Sequence, residues 1–251
     1  MKKLFYWIFT IPFLLAFGLT LVIFHPLQVI AKAMGYQPHK KVVDGMCWCL
    51  LWGCLPFTLS RVRLKNLAGQ LPTDRPLLIV GNHQSSFDIP MIGALLQKHH
   101  PKYISKRSLA KGIPSISYNI REGGSVTIDR KNPDEAVQII KGFGEYLEAH
   151  NRSGCIFPEG TRAKDGKMKP FKTKGMLQLL AIMPRALVVP VAIENSWKLE
   201  RWGFLPVPIF IGFKCTALPA LEPKDYEPLA LIEEVEHRIR VHIGQEVKGD
   251  S

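Results

Sequence analysis

Leu77-Leu78-Ile79-Val80-Gly81-Asn82-His83-Gln84-Ser85-Ser86-Phe87-Asp88-Ile89-Pro90-Met91-Ile92-Gly93-Ala94-Leu95-Leu96 is the stretch that decides the architecture. Its first five residues are apolar and partly β-branched, too short for a helix, and read as a buried strand. From Asp88 onward the pattern reads as a helix with the carboxylate at its start. His83 and Asp88 therefore sit in the turn between strand and helix, five positions apart. A neutral imidazole there can accept a proton, and a carboxylate within reach can fix its tautomer and stabilise the imidazolium. The pair lacks the nucleophile of a triad, and no serine or cysteine stands out for that part, so a substrate hydroxyl fills it. Taken alone, the same residues also suit a helix cap and a hydrogen bond to a nearby carbonyl.

The chain of 251 residues is long enough for one α/β domain with a good core and an appendage. Its net charge of +12, from 33 Lys and Arg against 21 Asp and Glu, favours polyanionic partners: nucleic acid, anionic lipid or phosphorylated small molecules. The cysteines, Cys47, Cys49, Cys54, Cys155 and Cys215, show neither metal-ligand spacing nor a disulfide framework, which fits a reducing compartment.

The amino terminus chooses among the polyanions. After Met1-Lys2-Lys3, residues Leu4 to Phe24 are uncharged and apolar, long enough to span or deeply enter a bilayer. A secretory signal peptide competes, with Ala31-Lys32-Ala33 loosely resembling a cleavage site, but the apolar run exceeds a usual signal core and an uncleaved anchor fits better. A second apolar stretch, Met46 to Leu59, holds Trp48, Trp52 and Pro56 and suits an interfacial or re-entrant helix. Lysines flank the first segment on both sides, so no positive-inside bias orients it. The expectation is a membrane-embedded helical hairpin over residues 1–60 that dips into one leaflet from the cytosol, with two true spans as the alternative. The host is expected to be the cell inner membrane.

Residues 61–251 have the composition of a soluble domain, without internal repeats or low-complexity segments. Strands are expected near Leu77–Val80, Lys102–Ser105, Ser125–Ile128, Cys155–Phe157, Leu187–Ile193 and Ile209–Cys215. Helices are expected near Asp88–Gln97, from Pro133, near Lys174–Met183 and near Leu229–Ile243. The helix from Pro133 has the clearest start: Asn132 caps, Pro133 suits the first position, and Glu135 follows three after the cap. Val137, Ile140, Phe143, Gly144 and Leu147 then share one face. Such alternation predicts an α/β fold, an αβ sandwich around a largely parallel sheet.

Two more polar motifs leave the ends of short apolar strands: Asp129-Arg130 after Ser125–Ile128, and Pro158-Glu159-Gly160-Thr161-Arg162 after Cys155–Phe157. Ligands of open α/β sheets gather outside the carboxyl ends of strands, so the three motifs converge on one crevice. Arg130 and Arg162 offer forked donors suited to phosphate, and Gly160 lets the backbone approach it closely.

These blocks resemble the glycerolipid acyltransferase family, the 1-acyl-sn-glycerol-3-phosphate acyltransferases. The family pattern of Asn-His-x4-Asp is matched by Asn82, His83 and Asp88. Its glycine-led block ending in Asp-Arg or Glu-Arg is matched by Gly124 to Arg130. Phe-Pro-Glu-Gly-Thr-Arg is matched by Phe157 to Arg162, and an apolar block around a proline by Val189-Pro190-Val191-Ala192-Ile193. The resemblance covers residues 62 to 215. Thr127 replaces a usual apolar or aromatic residue and Ala163 a common serine, departures that bear on substrate preference and remove no charged group.

The resemblance implies that His83 is the general base on a free hydroxyl of a lysophospholipid, with Asp88 orienting the imidazole. The hydroxyl attacks the thioester of acyl-CoA or acyl-carrier protein, a co-substrate; no resident cofactor or metal is implied. Arg130, Glu159, Gly160, Thr161 and Arg162 are implied to hold the glycerol phosphate, with Glu159 positioning an arginine or accepting from a glycerol hydroxyl. Pro190 and its neighbours are placed near the acyl chain, or simply in an apolar core. Lys106 is the further candidate for a donor contact. The expected partners are membrane-borne lysophosphatidic acid, the acyl donor and an anionic membrane surface, which the lysines around the motifs would attract. A metal-dependent hydrolase is disfavoured because only one histidine lies among the motifs. A nucleic-acid binder is disfavoured by the apolar anchor and the absence of a recognisable module.

Overall fold

A strand apolar at every position has to be covered on both faces, and β2 (Leu77–Gly81) is buried throughout. Leu77 and Ile79 enter one apolar core, while Leu78 and Val80 enter another on the opposite face of the sheet. The computed structural model describes residues 2–129, 132–203 and 205–246. Within it β2 lies at the centre of a seven-stranded sheet with β1 (Arg61–Asn66), β3 (Pro101–Lys106), β4 (Val126–Ile128), β5 (Ser153–Ile156), β6 (Leu187–Glu194) and β7 (Gly212–Ala217). The order is β1-β7-β6-β2-β5-β3-β4. The strands from β6 to β4 run parallel; β7 is antiparallel to β6, and β1 pairs parallel with β7 at the far edge.

The first core lies beneath α1 (Lys2–Ala33), α2 (Tyr36–Trp48) and α3 (Asp88–Leu95); α4 (Ile116–Glu122) packs beside α1. The second is closed by α5 (Pro133–His150), α6 (Thr173–Ile182) and α7 (Pro228–His242). This is the expected αβ sandwich. The α5 start follows its sequence signal, with Asn132 Oδ1 accepting from the Glu135 amide at 3.3 Å. Ile140, Phe143 and Leu147 are its buried face. Gly144 is required there, because a Cβ would stand 2.9 Å from Ile182 Cγ2 of α6.

Some expectations need correction. The last strand begins at Gly212 rather than Ile209, because Phe210 has a left-handed φ of 61° that interrupts the extended run. β1, where Arg61, Arg63 and Lys65 alternate with Val62 and Leu64, is an edge strand that the sequence reading passed over. So is α4. The hairpin is also asymmetric. α1 continues to Ala33 through Pro26, beyond the expected apolar run to Phe24. Its second arm starts at Tyr36, before the apolar stretch. Residues Cys49–Cys54 then widen into a π-helical segment, followed by a single 3-10 turn at Leu55–Thr58. Leu50, Leu51, Cys54 and Leu55 are buried in the same core as Ile79 and Met91. The hairpin thus shares its interior with the sheet.

Beyond Gly81 the chain leaves the β2–β6 ladder, but Asn82 extends it by side chain. Its Nδ2 donates to the Ile193 carbonyl at 2.9 Å, and its Oδ1 accepts from the Ile193 amide at 2.7 Å. Asn82 is 1% exposed. Asn82→Ala leaves both backbone groups buried and unpaired, so unfolding in urea should show a loss of about 1–3 kcal/mol. A midpoint unchanged from the native chain would show that the pair is dispensable.

Candidate active site

Neighbouring parallel strands end about 4.8 Å apart, so the loops that leave β2 and β5 must meet. The β2 loop carries His83 and the β5 loop carries Phe157 to Arg162. His83 Nδ1 lies 2.8 Å from Asp88 Oδ2. An ionised carboxylate only accepts, so Nδ1 carries the proton and Nε2 is the basic lone pair. Nε2 has no hydrogen-bond partner among the described residues, and His83 lines a cavity of about 1290 Å³. The ring stacks on Phe157, centroids 4.2 Å apart and planes 18° apart, which sets its orientation.

Asp88 is fully buried. Its Oδ2 also accepts from the amides of Gln84 at 2.6 Å and Ser85 at 2.9 Å, and its Oδ1 accepts from Ser196 Oγ at 2.6 Å. It therefore orients the imidazole and closes the turn at once. The residue that sequence alone allowed to be a cap makes no capping bond at α3, whose N-cap is Phe87.

Glu159 was expected at the glycerol phosphate; the structure places it beneath the histidine instead. It is 2% exposed, with Oε1 accepting from the His83 amide at 2.8 Å and Oε2 from the Lys169 amide at 2.9 Å. Burial raises its pKa above the ordinary glutamate value, opposed by those two amide bonds. The Ala163 amide, in turn, donates to the His83 carbonyl at 2.7 Å. His83 is thus gripped at both backbone groups by the β5 loop.

Gly160, Thr161 and Arg162 line the same cavity as His83. Gly160 has φ 71°, and a Cβ there would stand 3.2 Å from Lys172 Nζ, so only glycine fits comfortably. Thr161 Oγ1 accepts from Lys169 Nζ at 2.7 Å. Arg162 Nη1 donates to Glu200 Oε2 at 2.5 Å, a partner that no local pattern of residues marks. Lys106 also borders the cavity, as do Lys164, Lys169 and Lys172. Pro190 does not: it is buried in β6, paired with Val80, in the sheet rather than at a cavity wall. Arg130 lies outside the described residues; β4, which precedes it, is three strands from β2.

The cavity extends from the carboxyl edge of the sheet to its amino edge, beneath α2. Lys102, near the start of β3, lines its far end along with His39 and His100. Lys102 is 8% exposed, and its ammonium faces the Tyr36 ring at 4.9 Å. Burial, then repulsion from Arg152 and Lys40, lowers its pKa to about 8. The unfolded chain keeps that proton up to the ordinary value of 10.5, so folding is relatively favoured as pH rises from about 8 towards 10.5. Lys102→Met removes this dependence. Its stabilisation relative to the native chain should be largest near pH 7 and shrink as the pH approaches 10, read from melting temperatures. A difference constant with pH would refute a buried charge at this position.

Comparison with known proteins gives an independent view. Residues 61–194, more than half of the chain, match the family model described as Acyltransferase. A protein of Helicobacter pylori strain J99 named 1-acyl-sn-glycerol-3-phosphate acyltransferase is 34% identical over 154 residues, covering 58% of this chain and 62% of its own length. One of Saccharomyces cerevisiae with the same name is 32% identical over 172 residues, 67% of this chain and 54% of its own length. The matches thus span somewhat less than two thirds of these relatives. The crystal structure of the 1-acyl-sn-glycerophosphate acyltransferase from Thermotoga maritima aligns over 100% of both chains with a TM-score of 0.81 at 22% identity, and so shares the fold.

Proposed function

The chain belongs to the acyltransferase family, and from that premise we propose that it moves a fatty acyl group from a thioester to the sn-2 hydroxyl of 1-acyl-glycerol-3-phosphate, giving phosphatidic acid. The observation that carries this reading is the orientation of His83, whose Nδ1 is engaged by Asp88 while Nε2 is free in the cavity that Gly160, Thr161 and Arg162 also line. Nε2 takes the hydroxyl proton as the oxygen attacks the thioester carbonyl. The tetrahedral intermediate collapses with cleavage of the C–S bond, and the imidazolium returns its proton to the departing thiolate. Asp88 stabilises the imidazolium through the Nδ1 bond. No residue of the chain is acylated, and no resident cofactor takes part. A metal-dependent reading lacks open ligands at this place, since Asp88 is spent on His83 and the turn, and Glu159 on two amides.

Arg162 is proposed to bind the acceptor phosphate, with Gly160 and Thr161 closing around it. Acyl-CoA or acyl-carrier protein is the proposed donor; both are anionic and would meet Lys106, Lys164 and Lys172 at the cavity rim. The apolar wall supplied by Phe17, Val43, Met46, Leu50 and Ile116 suits an acyl chain. The amino-terminal helix is long and apolar enough to cross a membrane, with mean hydropathy 2.3. Leu4, Ile8, Ile11, Leu15, Leu19 and Val22, at helical spacing, are exposed along one side of it. Trp48 and Trp52, stacked 4.0 Å apart on the second arm, are exposed as well. These faces support membrane association, and the proposed seat is a hairpin in one leaflet, on the cytosolic face of the cell inner membrane, that holds the cavity where lysolipid resides.

The test is transfer by purified protein from acyl-CoA and acyl-carrier protein to lysophosphatidic acid, glycerol 3-phosphate and other lysolipids, with products identified by mass. His83→Ala should lower kcat by about 10²–10⁴-fold while the chain stays folded and membrane-bound. Retained transfer would reject the mechanism. Arg162→Ala should raise KM for the phosphorylated acceptor roughly tenfold or more; an unchanged KM would remove it from the phosphate site.

A further inference from the structure

Glu200, at the end of the 3-10 segment Ser196–Glu200, reaches back to the rim of the cavity. Its Oε2 accepts from Arg162 Nη1 at 2.5 Å, and its Oε1 accepts from both the amide and the hydroxyl of Ser86, each at 2.9 Å. A guanidinium, a backbone N–H and a hydroxyl, drawn from the loops after β5 and β2, therefore converge on one anion. That is the donor set a phosphate would take. Ser86 and Arg162 both line the cavity beside His83, and no other acceptor engages either donor group among the described residues. Ser86 lies in the turn between His83 and Asp88, so an anion bound there is held by the loop that carries the base.

We propose that Glu200 is a resident occupant of the acceptor-phosphate subsite: its carboxylate holds Ser86 and Arg162 in the free protein and yields them to the phosphate monoester of the acceptor. This rests on the reading of the acceptor as phosphorylated. The carboxylate keeps the donors of two loops gathered in place before substrate arrives. It also opposes binding, because a like charge has to withdraw as the phosphate enters. The withdrawal is a rotation of the Glu200 side chain alone, because the Ser196 hydroxyl on Asp88 and the buried Leu199 hold the segment's backbone in place. Arg162 is the open side of the pair, its side chain 41% exposed against 16% for Glu200.

The test is binding of 1-acyl-2-deoxyglycerol 3-phosphate, which cannot be acylated, to the full-length chain in detergent, by calorimetry. Glu200→Gln keeps an acceptor for Ser86 and removes the competing charge. It should tighten binding about fivefold, the scale of an ion pair at a half-open rim, and leave binding of unphosphorylated 1-acylglycerol unchanged. KM for lysophosphatidic acid should fall by the same factor with kcat little altered. Should Glu200→Gln fail to unfold cooperatively, Glu200→Asp, whose carboxylate is one methylene farther from Arg162, should tighten binding in the same direction. Unchanged or weakened binding of the analogue would overturn the proposal and make Glu200 a strut. Tightened binding without any transfer to lysophosphatidic acid would instead overturn the proposed reaction and leave the role of Glu200 standing.

Discussion

A carboxylate with no exposure to water is costly unless its lone pairs are filled, and the site depends on how Asp88 meets that cost. Three of its donors come from the turn that contains it: the His83 imidazole and the amides of Gln84 and Ser85. The Ser85 hydroxyl adds a long bond at 3.4 Å from the same turn, and the Ser196 hydroxyl comes from beyond β6. The charge is therefore compensated only when β2, its following turn and the end of β6 are assembled. Catalytic geometry and folding are two consequences of one satisfied anion, and the imidazole has a single available tautomer because the carboxylate can only accept from Nδ1.

The sheet order explains why these groups meet. β2 stands between β6 and β5, and all three run parallel. The loop after β2 is thus flanked by the loops after its two neighbours. Ser196 and Asn82 secure it on the β6 side, Glu159 and Ala163 on the β5 side. The cavity then passes beneath α2 to the amino edge of β3. The four steps from Lys102 to Lys106 span about 13 Å along the strand. Because α1 and α2 share a core with the sheet, the hairpin is a wall of the cavity as well as its apolar exterior. A substrate with a polar head and an apolar tail can then extend from one edge to the other without leaving the protein.

Much of this was legible in the residues. Local features are written locally: the all-apolar run of β2, the Asn132 cap of α5, and the helical spacing of its buried face. The convergence of two motifs followed from parallel strands, whose carboxyl ends share an edge. What escaped depended on partners distant in sequence. Nothing near Glu200 marks it as the partner of Arg162, 38 positions away. Nothing near Lys102 shows that it lies beneath α2 rather than on the surface. β1 escaped for another reason. Its alternation of Arg61, Arg63 and Lys65 with apolar residues is a strand signal, but an edge strand with one charged face lacks the apolar density that marked the others. Pro190 was an ambiguity of composition: an apolar block fits a sheet interior and a lipid wall equally, and only position in the sheet separates them.

The two glutamates of the site show how burial divides one chemistry into two tasks. Glu159 and Glu200 each use both carboxylate oxygens, and each ties the β2 loop to another part of the chain. Glu159 is enclosed, its partners are amides that cannot leave, and no substrate can exchange with it. It fixes where His83 is. Glu200 stands at the rim, and its partners are a hydroxyl, an amide and a flexible guanidinium that an incoming anion can take over. An ion pair open to solvent on its arginine side contributes little to stability, on the order of 1 kcal/mol. Exchange of its carboxylate for a phosphate therefore costs the fold little, whereas loss of Glu159 would release the histidine itself. Rigidity at the base and replaceability at the phosphate are both needed, and the distance of each glutamate from solvent supplies them.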